Sequence, residues 1–388
     1  MRAHLLPVGY REGTISNDRA EGETPMEIKI QPAAAGQRRS KPADETKLVF
    51  GKTFSDHMFM MDYFADQGGW QNPRIVPHQN LVLDPAAMVL HYGQGIFEGL
   101  KAYRCADGSL QLFRPEKNME RFNRSARRMC MPEIDVELQL QVLNALLKLD
   151  QEWVPHNQGA SLYIRPTMIA SEPALGVRPA HQYLYYIITG PVGAYYPEGF
   201  NPVKIYVSDE YVRAVRGGVG EAKTMANYAA SLYAQEVAKK KGFTQVLWLD
   251  AVERAYIEEV GTSNIFFRIA DELVTPPLGG SILPGITRQS VIELARHWGW
   301  KVSERRITVA EVVEGITSRR VQEIFGSGTA AVISPVGELC YKDEHYQVQD
   351  GKVGEWARRL YDEIIAIQYG QKVDPFGWTR KVHTQSIE

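Results

Sequence analysis

The chain has 388 residues, 44% of them hydrophobic, enough for a buried core and for roughly two to three domains. Its 44 Lys and Arg residues nearly balance 46 Asp and Glu, which leaves no electrostatic footprint for nucleic acid or an anionic membrane surface. Three cysteines, Cys105, Cys130 and Cys340, are odd in number and widely spaced, which argues against a secreted disulfide scaffold and a metal site and for a reducing, cytoplasmic setting.

Residues 1–44 are rich in Gly, Pro, Ala, Gln and charge, show no periodicity and read as a disordered tail. The start lacks the apolar centre of a signal peptide. Glu12, Asp18, Glu21, Glu23 and Glu27 are wrong for a transit peptide, and Met26 offers a second start. No apolar run approaches the ~18 residues of a membrane helix.

Residues 45–193 read as a smaller N-terminal domain of mixed strands and helices. Residues 100–114 give two strands around the hairpin signal Ala106-Asp107-Gly108. Pro115 opens a helix with Met119, Phe122, Ala126 and Met129 on one face and Lys117, Arg121, Arg124 and Arg128 on the other, by default a solvated one. Asp135 is an N-cap for a second helix. Residues 183–188 form a buried strand, and the glycines and prolines from Gly190 to Gly199 break it, placing the inter-domain connection at 194–202.

A larger domain, 203–388, opens with a strand at 203–207. After a glycine-rich segment, Ala229, Leu232, Tyr233 and Val237 mark the apolar face of a helix ended by Lys239-Lys240-Lys241-Gly242. Strands follow at 245–249 and 264–269, then a helix after Pro284-Gly285 and a capping box at Thr308 and Glu311. Residues 321–332 read as strand, Gly-Ser-Gly turn, strand. The mixture predicts an α+β fold of two domains.

Lys223 follows Gly217-Gly218-Val219-Gly220-Glu221-Ala222 and precedes a helix. A solvated lysine is the default there. A phosphate loop fails in detail, because Glu221 and Ala222 separate Gly220 from Lys223-Thr224. A Schiff-base lysine remains, whose amine must shed a proton from a reference pKa of ~10.4 and so needs a desolvated, cation-rich site. Glu258-Glu259-Val260-Gly261-Thr262-Ser263-Asn264 taken alone is a polar hairpin turn. Gly285-Ile286-Thr287 and Gly326-Ser327-Gly328-Thr329 each offer backbone N–H groups to an anion. Together they supply an amine, an acid and phosphate cradles, the parts of a pyridoxal phosphate site.

Over about 50–336 the chain resembles the branched-chain amino acid aminotransferases of pyridoxal-phosphate fold type IV. The carriers are Phe50-Gly51, His91-Tyr92, Phe97-Glu98-Gly99-Leu100-Lys101-Ala102, Phe113-Arg114-Pro115 through Arg121, and Tyr163-Ile164-Arg165-Pro166-Thr167. Further along come Gly217-Gly218 through Lys223, Asn227-Tyr228-Ala229, Glu259 through Asn264, Leu283-Pro284-Gly285-Ile286-Thr287-Arg288, and Phe325-Gly326-Ser327-Gly328-Thr329-Ala330. The resemblance implies that Lys223 anchors pyridoxal 5'-phosphate and shuttles the substrate proton. It implies that Glu259 keeps the pyridine nitrogen protonated and that Tyr228 bonds the ring's phenolic oxygen. Arg121, Ile286, Thr287 and Thr329 would hold the phosphate, with Thr262 also on the cofactor.

For the substrate, the resemblance implies an apolar wall of Phe50, Tyr92, Phe97, Tyr163, Val177 and Tyr195. Tyr92 and Arg165 would admit glutamate, and Thr329 and Ala330 would meet the α-carboxylate. Each of these aromatics alone is more often simple core. The implied reaction is ping-pong transfer between Leu, Ile or Val and 2-oxoglutarate in a closed homodimer. Two departures stand out: Ala331 and Ser334 replace the C-x-x-C pair of animal relatives, and Thr224-Met225-Ala226 replaces their more glycine-rich stretch. Rivals are a D-amino acid aminotransferase, a 4-amino-4-deoxychorismate lyase, and a non-catalytic homologue that kept the fold.

Overall fold

The computed structural model describes residues 26–193 and 200–383. In chain order, the first part holds strands β1 (Lys29–Ile30), β2 (His57–Phe64) and β3 (Gly69–Pro77), helix α1 (Met88–Tyr92), β4 (Gly95–Phe97), β5 (Leu100–Arg104) and β6 (Leu110–Phe113). Helices α2 (Pro115–Arg128) and α3 (Val136–Leu149) follow, then β7 (Ser161–Ala170) and β8 (Gln182–Val192). The second part holds β9 (Val203–Ser208), α4 (Met225–Lys240), β10 (Gln245–Leu249), β11 (Ile257–Val260), β12 (Ser263–Ile269), β13 (Glu272–Thr275), α5 (Ile286–His297) and β14 (Lys301–Glu304). It ends with α6 (Val309–Thr317), β15 (Val321–Gly328), β16 (Val332–Tyr341), β17 (Glu344–Gln347), α7 (Glu355–Gln368) and β18 (Thr379–Val382).

Two nine-stranded sheets result, the α+β arrangement expected. The first runs β1-β3-β2-β8-β7-β5-β6-β18, with β4 on β7. The second runs β11-β10-β9-β16-β15-β12-β13-β14, with β17 on β16, and the extra β11–β12 pairing closes six strands into a ring. Helices α2 and α3 cover the first sheet through Met119, Phe122, Leu143 and Leu146, all fully buried. A third cluster, with Tyr103 and Phe113 from one sheet and Phe266, Val291 and Leu360 from the other part, cements the two together. No described helix is long and apolar enough to cross a membrane.

Local signals reappear as geometry. Asp135 accepts the Leu138 N–H at 2.9 Å and caps α3, Thr308 accepts the Glu311 N–H at 3.0 Å and caps α6, and Pro115 sits at the start of α2. Other expectations fail for physical reasons. Residues 26–44 are not a loose tail: β1 pairs with β3, and the buried Ala33 donates its N–H to His57 Nε2 at 2.8 Å. That imidazole is anchored in turn by Asp150, 2.5 Å from Nδ1. Strand β8 continues through Gly190-Pro191-Val192 because Pro191 pairs with Leu162 inside a long antiparallel ladder. The Gly-Ser-Gly run belongs to β15, and the turn falls on Thr329 to Ala331.

Helix α4 buries Asn227, Ser231, Ala234 and Ala238, small residues that let it lie close on the sheet, and leaves Leu232 and Tyr233 exposed, the reverse of the face predicted. Strand β18 pairs with β6, so the chain's last described segment returns to the first sheet rather than to the domain expected over 203–388. Residues 1–25 and the 194–199 part of the expected connection lie outside the described residues.

Candidate active site

A cavity of about 560 Å³ opens between the two parts, within the size range of small-molecule sites. Lys223 lies on its wall at the junction of the parts. The Lys223 N–H donates to Ser125 Oγ of α2 at 2.9 Å, and its carbonyl accepts the Phe97 N–H at 3.0 Å. Thr224, extended at the N-cap of α4, pins its hydroxyl to the Gly95 carbonyl at 2.8 Å. Tyr228, one turn into α4, returns to the same side, and Lys223 Nζ donates to its hydroxyl at 2.8 Å. The glycine-rich approach is needed for space: a Cβ on Gly220 would strike the Ser281 carbonyl and the Ala214 side chain.

Glu259 reaches the cavity from β11, opposite Asn264 of β12, whose side-chain amide donates to Glu259 Oε1 at 3.2 Å and to the Leu283 carbonyl at 2.9 Å. Arg213 forms an ion pair with Oε2, yet without hydrogen-bond geometry, so this buried oxygen keeps its acceptor capacity. Burial lifts the Glu259 carboxyl to about 7, with Arg213 opposing and Glu258 reinforcing the rise. An unmatched carboxylate oxygen in a dry wall fits a ring N–H donor such as protonated pyridine.

The anion end is also built. Gly285 caps α5 with no side-chain cap, so the first N–H groups, Ile286 and Thr287 among them, have no partner within the helix and face the cavity. A Cβ on Gly285 would overlap Asn264 Oδ1. Ser327 adds a buried hydroxyl with no partner among the described residues, and Thr329 lines the same wall.

Arg121 is not on a solvated face: it is 4% exposed, because the polar side of α2 meets the second part of the chain. Its Nε and Nη2 donate to Glu98 at 2.7 and 2.9 Å, and Nη1 donates to the Pro284 carbonyl at 3.1 Å. Three of five donors are thus engaged, and two remain for an oxyanion. These orphaned donors, together with Lys223 and Glu259, fit pyridoxal phosphate.

Opposite stands an aromatic wall. Phe50 meets Tyr163 edge-on at 4.8 Å, and Phe97 packs on Tyr228 at 4.7 Å. The Arg165 guanidinium lies 4.6 Å from the Phe97 centroid and donates to the Tyr163 hydroxyl at 3.0 Å, and its buried Nε finds no partner among the described residues. Gly99 is obligatory, since a Cβ there would collide with the Tyr163 hydroxyl. Thr262, Ile286, Thr287, Thr329 and Ala330 line the cavity as expected.

Two expected wall residues do not line it in the single chain. Tyr92 ends α1 at 41% exposure, and Val177 sits 89% exposed in the β7–β8 connection, because these segments lie on the outer surface of the first sheet. Tyr195 falls outside the described residues. Sequence reading missed Tyr186 and Ile188, which alternation along β8 could have paired on one face. It gave Glu98 no role despite quoting its motif. Arg213 had no local signal at all, being brought to Glu259 only by the fold.

Residues 95–339 match the family model described as amino-transferase class IV. Branched-chain-amino-acid aminotransferase 2 of Bacillus subtilis (strain 168) is 57% identical over 91% of this chain and 97% of its own length. A probable branched-chain-amino-acid aminotransferase of Staphylococcus aureus (strain N315) is 52% identical over 88% and 94%. Among solved structures, the branched-chain amino acid aminotransferase of Escherichia coli aligns with a TM-score of 0.68 at 26% identity, covering 84% of this chain and 99% of its own. A T.th. branched-chain amino acid aminotransferase with pyridoxamine 5'-phosphate aligns with a TM-score of 0.68 at 26% identity, over 83% and 98%. The chain belongs to the class IV amino-transferase family, in the group of the branched-chain-amino-acid aminotransferases.

Proposed function

We propose that this protein transfers the amino group of L-leucine, L-isoleucine or L-valine reversibly to 2-oxoglutarate in ping-pong order, with pyridoxal phosphate held by Lys223. The observation that carries it is the convergence of the Lys223 amine and the Glu259 carboxylate on one cavity, with the open N-terminus of α5 on its wall. When bound, the cofactor supplies an aldehyde carbon for the amino group and a ring that accepts the electrons left at the α-carbon.

Lys223 Nζ would take the proton from the α-carbon and deliver it to the former aldehyde carbon of the cofactor, acting as general base and then acid. The Tyr228 hydroxyl accepts a hydrogen bond from that nitrogen and holds it in position. Glu259 would hold the ring N–H, while Arg121, Ile286, Thr287 and Thr329 would bind the phosphate and Thr262 would support the ring. Phe50, Phe97 and Tyr163 exclude water and receive the aliphatic side chain, a setting in which one methylene changes selectivity by ~1–3 kcal/mol. The unpartnered Nε of Arg165 supports acceptance of glutamate's second carboxylate. The exposed Leu90, Tyr92, Leu175 and Val177 form an apolar surface that supports a homodimer, with the enzyme working in the cytoplasm.

Adding L-leucine to the purified holoenzyme should convert the yellow cofactor band to the pyridoxamine form. Conversion by D-alanine or aminodeoxychorismate instead would reassign the reaction, and a colourless preparation inert to borohydride would remove it.

A further inference from the structure

Lys101 is a buried lysine, 8% exposed, and among the described residues no carboxylate forms an ion pair with it. Strand alternation explains its direction. Leu100 and Ala102 enter the core of the first part, so Lys101 and Tyr103 point the other way, toward the second. Across β5 and β7 it stands in register with Tyr163, whose ring lines the cavity. Among the described residues its side chain makes one hydrogen bond, and it crosses between the parts: Nζ donates to the Ala330 carbonyl at 2.8 Å. Ala330 sits in the β15–β16 turn, and Thr329, Ala330 and Ala331 all line the cavity.

We infer that Lys101 is a positioning residue for substrate, holding the 329–331 turn by its Ala330 carbonyl so that the turn's N–H groups face the substrate α-carboxylate. The inference rests on the transaminase reading above. A carbonyl that accepts a hydrogen bond from an ammonium makes the adjoining peptide N–H groups more polar, and a cation without a carboxylate partner adds attraction for the incoming anion. Desolvation brings the Lys101 amine down to about 8, so near neutral pH it still carries its charge. Because an α-carboxylate is held equally before and during proton transfer, the effect falls on KM rather than kcat.

The test uses the holoenzyme and two leucine fragments, read by the change in cofactor absorption. 4-Methylvalerate carries a carboxylate and an aliphatic chain without the amine; 3-methylbutylamine carries the amine and side chain without the carboxylate. Lys101→Met should weaken 4-methylvalerate binding and raise the KM for leucine by about tenfold, with kcat and the amine's affinity little changed. Lys101→Arg should restore most of the loss. If Lys101→Met does not fold, Lys101→Gln, which keeps a donor without charge, should show the same selective loss at smaller size. Equal weakening of both fragments, or unchanged carboxylate binding, would overturn the inference. A wild-type enzyme that takes neither leucine nor 4-methylvalerate would overturn the functional reading as well.

Discussion

Two buried arginine–glutamate pairs flank one cavity and shift their carboxyl groups in opposite directions. Glu98 is fully buried and receives two bonds from Arg121, one from Asn118 at 2.8 Å and one from the Gly99 N–H at 3.1 Å. Burial alone would raise its pKa, but Arg121, Lys223 and Asn118 outweigh it and the carboxyl stays below its ordinary value. Glu259 is nearly as buried, yet has fewer directed donors, Asn264 and the Leu283 backbone, and a second carboxylate, Glu258, beside it; burial lifts its carboxyl to about 7. Comparable burial and comparable cations thus shift the two carboxyl groups in opposite directions: burial prevails at Glu259, where Glu258 adds to it, and the Arg121 and Asn118 donors prevail at Glu98. The saturated pair is scaffolding under Arg121. The unsaturated one keeps an oxygen for a ligand.

Lys223 lowers both carboxyl groups, so its removal tests the comparison at once. Lys223→Ala should cut amino transfer by on the order of 10⁴-fold or more, with the fold retained by circular dichroism. Glu98→Gln comes next in size. It strands Arg121 without a counter-charge at a site sealed from water, which should cost ~3–5 kcal/mol of stability in denaturant melts and weaken cofactor binding. A melt unchanged by Glu98→Gln would show that the saturated pair is not scaffolding.

The asymmetry between the pairs also marks what the sequence could reveal. Lys223, Glu259 and the α5 N-terminus sit in short local patterns, each a lysine, acid or glycine at a turn, which made them candidates, although their roles were assigned only through the resemblance. Caps such as Asp135 and Thr308, which act within one helical turn, were readable directly. The buried state of Arg121 depends on which face of α2 meets the other part of the chain, and Arg213 on where an irregular segment is brought to β11, neither of which local periodicity encodes. Strands β2 and β3 form a local hairpin, Phe64 opposite Gly69, and were missed because β2 is buried on both faces over His57–Met61 and so shows no alternation; the role of residues 26–44 was missed because one buried Ala33 in a polar stretch gives no period to detect. Tyr92 and Val177, named only by resemblance, lie on the surface of the single chain.

Glu259→Gln should be smaller than the first two. It keeps a group of the same size but removes the charge that holds the ring proton, so kcat should fall by about 10²-fold while the melt changes little. Loss in KM alone would contradict the role of Oε2.

Arg213→Gln should give the smallest change, and it isolates why the unsaturated pair is raised only to about 7. In cofactor-free protein, Glu259 titrates near 7 when folded and near 4.5 when unfolded, so between those values the folded chain holds a proton that the unfolded chain has released. Stability from this group is therefore full below 4.5 and lost as pH rises through 7. Arg213 opposes the rise, so deleting its charge moves the folded value higher and extends the window upward. Going from about pH 6 to about pH 8, the variant should lose about 1 kcal/mol more stability than the wild type, and Glu259→Gln should abolish this part of the pH dependence in either background. Denaturant midpoints at the two pH values read the difference directly. Equal pH dependence with and without Arg213 would mean that the guanidinium does not act on this carboxyl, and that the contrast with Glu98 lies in the cation that Arg121 supplies there as well as in the directed donors.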